Sequence, residues 1–314
     1  MEMYDQVAQE RLKEKIGYEL WLFDFLSETE TFEGGSNITT IVLVNRQPSA
    51  YVADTLAEAL GSETVMKVLD TLMPLTFTAS YKILDMIFEW ILEENKKVGN
   101  IRKVPWKFRK KIKVISNSQL EYPPLFQSNQ YIREYLFALY SNLLEFRNEI
   151  VHRNNFSVSD NKLQIKTNEN SLEIAREELG ALVRTVVAVA KMFAGILPFG
   201  KREDCLLKYH LDRIGELHGL NEFKQTKPLL IDVILKVPEE KGIFPADLKF
   251  VREQISRIYP NVDVLYNLKI IGLVGDKPSA CWIFPVNFVP TGDILELRPN
   301  TYRKYLKPLD ECQK

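Results

Sequence analysis

"YIREYLFALYSNLLEFRNEIVHRNNF", Tyr131 to Phe156, carries the strongest periodic signal in the chain. Ile132, Leu136, Leu139, Leu143, Phe146 and Ile150 step by four and three in alternation. That spacing puts apolar side chains on one narrow face of an α-helix roughly five turns long. The polar "RNN" that follows stops the helix and leaves His152 in its last turn, where unpaired carbonyls favour an imidazolium. At about 100° per residue, with Ile150 facing the core, Asn148 and His152 lie on the opposite face as i,i+4 neighbours. Arg147 sits on the border of the apolar seam.

Helical spacing extends outward from this stretch. In "PLTFTASYKILDMIFEWILEENKKVGN", Leu84, Ile87, Phe88 and Ile91 define a second buried face, with Pro74 before it and Gly99 after it. A third helix is expected from "NSLEIAREEL", where Asn170 and Glu173 have capping-box spacing, to about Leu197. Weaker helices are expected around Val7–Leu26 and Tyr51–Leu60. "NITTIVLVN" (Asn37–Asn45) reads as a short strand, and "FSVSDNKLQIK" (Phe156–Lys166) as a hairpin around its "SDN" turn.

From Lys227 the pattern changes. "KPLLIDVILKVP" reads as a strand and "FPADLKFVREQISRIY" as a helix. "VDVLYNLKIIGLVGDKPSACWIFPV" reads as a hairpin and "DILELRP" as a further strand. The expected fold is mainly α: an up-and-down helical bundle with a β-hairpin insertion, plus a small C-terminal α+β domain with an antiparallel sheet. The expected domains are a bundle over 1–200 with an N-terminal extension, a linker helix over 201–226, and the α+β domain over 227–314.

Composition narrows the function classes. The 314 residues carry a formal net charge of −1, so any attraction to nucleic acid must be local. Cys205, Cys281 and Cys312 show neither zinc spacing nor a disulfide framework, and read as ordinary thiols in a reducing cytoplasm. The charged "MEMYDQVAQERLKEK" argues against a signal peptide, and no apolar run is long enough for a membrane span.

Arg147 and His152 are five positions apart, but spacing alone is weak, because "RIGELH" separates Arg213 and His218 equally. An exposed helix-end histidine is the plain reading of His152. What distinguishes "RNEIVH" is Asn148 directly after the arginine, at the end of a long helix, ahead of a hairpin and another long helix. Here the chain resembles the HEPN family. Its hallmark is Arg, then Asn, Asp or His, then three to five further residues, then His. Arg147, Asn148 and His152 match it position by position; in "RIGELH" Ile214 stands at the polar position. The resemblance covers roughly Leu75 to Leu197. It implies a HEPN-like bundle and a metal-independent endoribonuclease without cofactors, acting as a homodimer with two motifs facing across a shared cleft. It also implies a toxin or defence effector, held by an antitoxin or another regulatory protein. The alternative within the same resemblance is a non-catalytic protein- or nucleotide-binding module.

The chemistry suits the residues. RNA carries its own nucleophile, the ribose 2′-hydroxyl. A histidine can exchange protons near neutrality, and an arginine fork matches the phosphate oxygens. Between Lys96 and Lys113, "KKVGNIRKVPWKFRKKIK" holds many cations and no acid, with Trp106 and Phe108 interleaved. Lys103, Trp106, Lys107, Arg109, Lys110, Lys111 and Arg153 are therefore the candidate contacts to single-stranded RNA. The bland alternative is a solvated connection whose aromatics tuck into the core. His210 and His218 lack the i,i+4 spacing of a zinc pair, and no metal site is expected.

Overall fold

The computed structural model describes residues 3–31, 42–44, 47–49, 65–117, 119–220, 228–238, 242–259, 265–286, 289–290, 292–299 and 301–309. The chain divides into two compact units. One comprises Met1–Glu30, Ile38–Phe199 and Leu207–Phe223; the other comprises Thr31–Asn37, Gly200–Leu206 and Lys224–Lys314.

In the first unit, helices α1 (Gln6–Thr31) and α2 (Val65–Lys97) are followed by the short helices α3 (Phe108–Asn117) and α4 (Pro124–Ser128). Next come α5 (Gln130–Asn142), α6 (Leu144–Asn148) and a π turn over Glu149–Arg153. Three strands follow, β3 (Phe156–Ser159), β4 (Lys162–Lys166) and β5 (Ser171–Ala175), and then α7 (Arg176–Phe193). An earlier strand pair, β1 (Val42–Val44) and β2 (Gln47–Ser49), is antiparallel and falls partly in the expected strand Asn37–Asn45. The helix expected over Tyr51–Leu60 lies outside the described residues.

The core confirms the apolar periods. Leu84, Ile87, Phe88 and Ile91 of α2 are buried with Ile132, Leu136 and Leu139 of α5 and with Leu182, Val186 and Val189 of α7. Each such side chain contributes roughly 1.5–3 kcal/mol. Pro74 lies inside α2 rather than before it. Hydroxyls of Thr76, Thr78 and Ser80 donate to carbonyls four residues back around this point. Gly99, with φ +88°, takes the left-handed turn after the helix.

Two helical expectations change. The stretch read as the start of the third helix, Ser171–Ala175, is instead strand β5, paired antiparallel with β4 from Lys162↔Ala175 to Lys166↔Ser171. The helix starts at Arg176, where the Glu178 carboxylate accepts the Ala175 N–H at 2.8 Å, so the capping glutamate is Glu178 and not Glu173. The segment read as a linker helix contains α8 (Lys201–Arg213) and α9 (Gly215–His218). Leu207, Leu211 and Leu217 belong to the buried core.

The second unit begins with β6 (Leu229–Val237) and β7 (Phe244–Asp247). Helix α10 (Leu248–Ile258) follows, then β8 (Tyr266–Val274), β9 (Lys277–Phe284), β10 (Ile294–Leu297) and β11 (Leu306–Lys307). The Asp247 carboxylate caps α10 by accepting the Phe250 N–H at 2.8 Å. The four-stranded sheet runs β11-β9-β8-β6, and β6 is parallel to β8, so the sheet is mixed where an antiparallel one was expected. A strand that returns to its neighbour through a helix arrives parallel. Gly272 lies at a register shift in β8; a Cβ there would sit 2.6 Å from the buried Phe244 ring. Cys281 is disulfide-bonded, so the reading of three independent thiols fails at Cys281.

The expected fold class is therefore corrected. Of the described residues, 56% are helical and 21% are in strands. The strand share equals that of an ordinary mixed domain. A three-stranded sheet replaces the hairpin, a four-stranded mixed sheet organises the second unit, and the described residues do not form the mainly α, plain up-and-down bundle expected. No described helix is long and apolar enough to cross a membrane.

His210 gives this fold an acid-sensitive point. It is 4% exposed, and its Nδ1 has no hydrogen-bond partner among the described residues. Burial, with the charges of Arg184 and Arg213, lowers its pKa to about 3. The folded state thus binds this proton more weakly than the unfolded chain. The stabilisation is complete above the unfolded value near ~6.5 and is lost as pH falls towards 3. Denaturant unfolding at pH 7.5 and 4.5 should show the protein losing on the order of 2–3 kcal/mol from this group, and His210→Phe should flatten that slope.

Candidate functional site

The helix that carries Arg147 and His152 does not run evenly. It breaks at Leu143 between α5 and α6, and its last turn widens to the π form over Glu149–Arg153. A π turn closes its hydrogen bonds five residues on, so position i+5 lies near position i. This changes the face calculation. The α-helical period makes Asn148 and His152 neighbours opposite a buried Ile150. In the structure Glu149 is the buried residue, Ile150 is half-buried, and His152 meets Arg147, five residues before it.

The three motif side chains converge on the guanidinium. Arg147 Nη1 donates to Asn148 Oδ1 at 3.2 Å and lies 3.2 Å from His152 Nε2. A guanidinium only donates, so this contact requires Nε2 to be unprotonated, with the ring proton on Nδ1. The π turn ends at Asn154 in a left-handed conformation, φ 51°, and the N–H groups of Asn154 and Asn155 both reach the Glu149 carbonyl. Asn155 also donates to the Lys166 carbonyl, tying the turn to β4. The Glu149 carboxylate, buried inside the turn, accepts from Arg153 Nη1 at 2.7 Å.

Arg147 is held from its other side by Phe108. Its Cζ lies 5.1 Å from the Phe108 ring centre, and Tyr81 meets that ring edge-on at 5.8 Å. Burial raises the Tyr81 pKa, as does the charge of Asp85, while Arg147 pulls it down. The hydroxyl thus stays protonated and donates to the Tyr140 carbonyl at 3.1 Å. Tyr140 in turn donates to Asp85 Oδ1 at 2.6 Å.

The expected RNA contacts divide into two groups. Lys103, Trp106, Lys107 and Lys110 are exposed; Trp106 is 78% exposed, with Lys107 Nζ 5.2 Å from its ring centre. Arg109 and Arg153 are also exposed, but each is paired, Arg109 with Glu145 at 2.6 Å and Arg153 with Glu149. Lys111 is corrected outright. It is 3% exposed, and its Nζ lies 2.8 Å from Asp85 and 3.0 Å from Glu89, so it cannot reach a polymer in solvent. The bland reading of the basic stretch also splits: Phe108 packs against the core and Trp106 does not.

Sequence reasoning missed the residues that hold the site. Asp85 and Glu89 stand one turn apart on the deeply apolar helix α2, and such a pair calls for a buried cation. Phe108 heads a short amphipathic helix with Ile112 and Ile115, which was the available sign that it faces inward. Among the described residues no three His, Cys, Asp or Glu side chains cluster as metal ligands.

Comparison of the chain with family models, curated proteins and solved structures finds no match.

The Lys111 contact sets a measurable contrast. Lys111→Met strips the counter-charge from Asp85 and Glu89 and should destabilise the protein by about 3 kcal/mol in denaturant unfolding. Lys103→Met and Lys110→Met, at exposed positions, should stay within about 0.5 kcal/mol.

Proposed function

We propose that this chain is a metal-independent endoribonuclease of HEPN type that cuts single-stranded RNA. The observation that carries the reading is the 3.2 Å approach of Arg147 to His152 Nε2, with Phe108 behind the guanidinium at the head of the basic helix α3. In this reading an incoming phosphate draws the guanidinium off the imidazole, as an anion outcompetes a neutral acceptor. Nε2 is then free to take the 2′-hydroxyl proton. The 2′ oxygen bonds to phosphorus, the bond to the departing 5′ oxygen breaks, and that oxygen takes a proton from solvent water. The products are a 2′,3′-cyclic phosphate and a 5′-hydroxyl. Arg147 offsets charge on the phosphoryl oxygens, Asn148 holds the guanidinium, and Trp106 offers an exposed face on which a base stacks.

The remainder of the reading follows the resemblance. Two copies bring their motifs to one cleft, the protein acts in the cytoplasm as a toxin or defence effector, and an antitoxin or another regulatory protein restrains it.

Purified protein incubated with single-stranded RNA and a chelator should yield cyclic-phosphate ends. His152→Ala and Arg147→Ala should each slow cleavage by about 10²–10⁴-fold. No cleavage by the parent, or equal rates in the variants, would sink the proposal in favour of a non-catalytic binding module. Reversing Lys103, Lys107 and Lys110 to Glu should weaken RNA binding and flatten its dependence on salt, read by anisotropy across a salt series.

A further inference from the structure

Strand β6 is the edge of its sheet. Among the described residues it has a partner on one side only, β8. The bonds that tie it there fix which backbone groups point inward. Leu229 N–H donates to the Leu265 carbonyl at 2.9 Å, and the Val237 carbonyl accepts from Gly275 N–H at 3.2 Å. Odd-numbered positions of β6 therefore face β8. By the alternation of a ladder, the N–H and C=O of Leu230, Asp232, Ile234 and Lys236 face away from it.

The same four residues carry the solvent-facing side chains. Leu230 is 56% and Ile234 64% exposed, while Ile231, Val233 and Leu235 pack against the core. The edge has few of the usual safeguards: β6 is nine residues long, has no internal proline, and pairs with β8 without a bulge. Its two charges sit symmetrically, Asp232 two residues before Ile234 and Lys236 two after it.

From this pattern we infer that β6 pairs antiparallel with β6 of a second copy, about a two-fold axis through Ile234. Backbone parity restricts the choice of register, because only even-numbered residues can bond across the edge. Charge then selects among the registers left. With Ile234 opposite its own copy, Asp232 meets the partner's Lys236, and Lys236 meets the partner's Asp232. On the core side Val233 then lies opposite Leu235. Shifting the axis to Val233 sets Leu230 against Lys236 and Asp232 against Ile234. Shifting it to Leu235 sets Ile234 against Lys236. Opposed charges and matched apolar pairs stabilise a ladder, and those mismatches do not. Within one copy Lys236 bonds Asp276 at 2.6 Å, and Asp232 lies 3.6 Å from Lys269. Both side chains are half exposed or more in those pairs, so each can take a second partner. This contact lies wholly within the second unit and does not rest on the proposed nuclease activity.

Cross-linking of the full chain under mild oxidation tests the register. Ile234→Cys should give a covalent dimer well above the parent background. Lys236→Cys alone should not, whereas Lys236→Cys mixed with Asp232→Cys should. In sedimentation, Asp232→Lys or Lys236→Asp should raise the dimer dissociation constant about tenfold, because each places like charges opposite one another twice. The double reversal should restore it. Ile234→Pro should abolish the pairing while sparing the bonds to β8, since the N–H it removes points outward. If it fails to fold, Ile234→Lys serves the same purpose. No covalent dimer from Ile234→Cys, or equal cross-linking from Lys236→Cys alone, overturns the inference.

Discussion

A buried ammonium organises the first unit around the candidate site. Lys111 is taken out of water, which costs several kcal/mol per ion, and the cost is met only by close carboxylates. Asp85 supplies two oxygens at 2.8 and 3.0 Å and Glu89 one at 3.0 Å. The surplus negative charge is balanced in turn by Lys15, which reaches Glu89 at 3.7 Å and Glu93 at 2.8 Å. Tyr140 adds its hydroxyl to Asp85. Helix α3 is thereby pinned to α2 through polar contacts that must all form together.

That pin has a consequence one turn away. Phe108 precedes Lys111 by three residues, so the ammonium lies 5.5 Å from the same ring that the Arg147 guanidinium faces at 5.1 Å. The ring is thus held by a cation from its own helix and presents itself to the motif. On the other side the π turn brings His152 back over Arg147. The guanidinium sits between an aromatic ring and an imidazole, with Asn148 as its remaining acceptor. A conventional α-helical turn would have put Arg147 and His152 well apart in azimuth, since five residues is not a whole number of turns at 3.6 residues each.

The two units use their sequence patterns differently. Alternation in "KPLLIDVILKVP" was read as a strand and the structure places β6 there, but direction was not in the pattern. Parallel pairing arose because β7 and α10 intervene before β8 and the chain must return on the same side. In the first unit "NSLEIAREEL" reads as a helix start because Asn170 and Glu173 have capping-box spacing. The alternation of Leu172 and Ile174 won instead, because β4 offered an adjacent edge to pair with. Local preference for a helix lost to a tertiary partner at Ser171–Ala175, whereas at β6 the partner decided only the direction of pairing.

By itself the sequence determined the buried faces of α2 and α5, the position of the Arg–Asn–His motif at a helix end, and the run of cations between Lys96 and Lys113. Those follow from residue spacing, which is a property of the local chain. Only the tertiary structure decided the rest: which cations reach solvent, which one is buried against Asp85 and Glu89, and that Arg147 meets His152 rather than Asn148 meeting it. The first two depend on partners tens of residues away. The third depends on one extra residue in a helical turn, a change in backbone hydrogen bonding that leaves no mark on the apolar period.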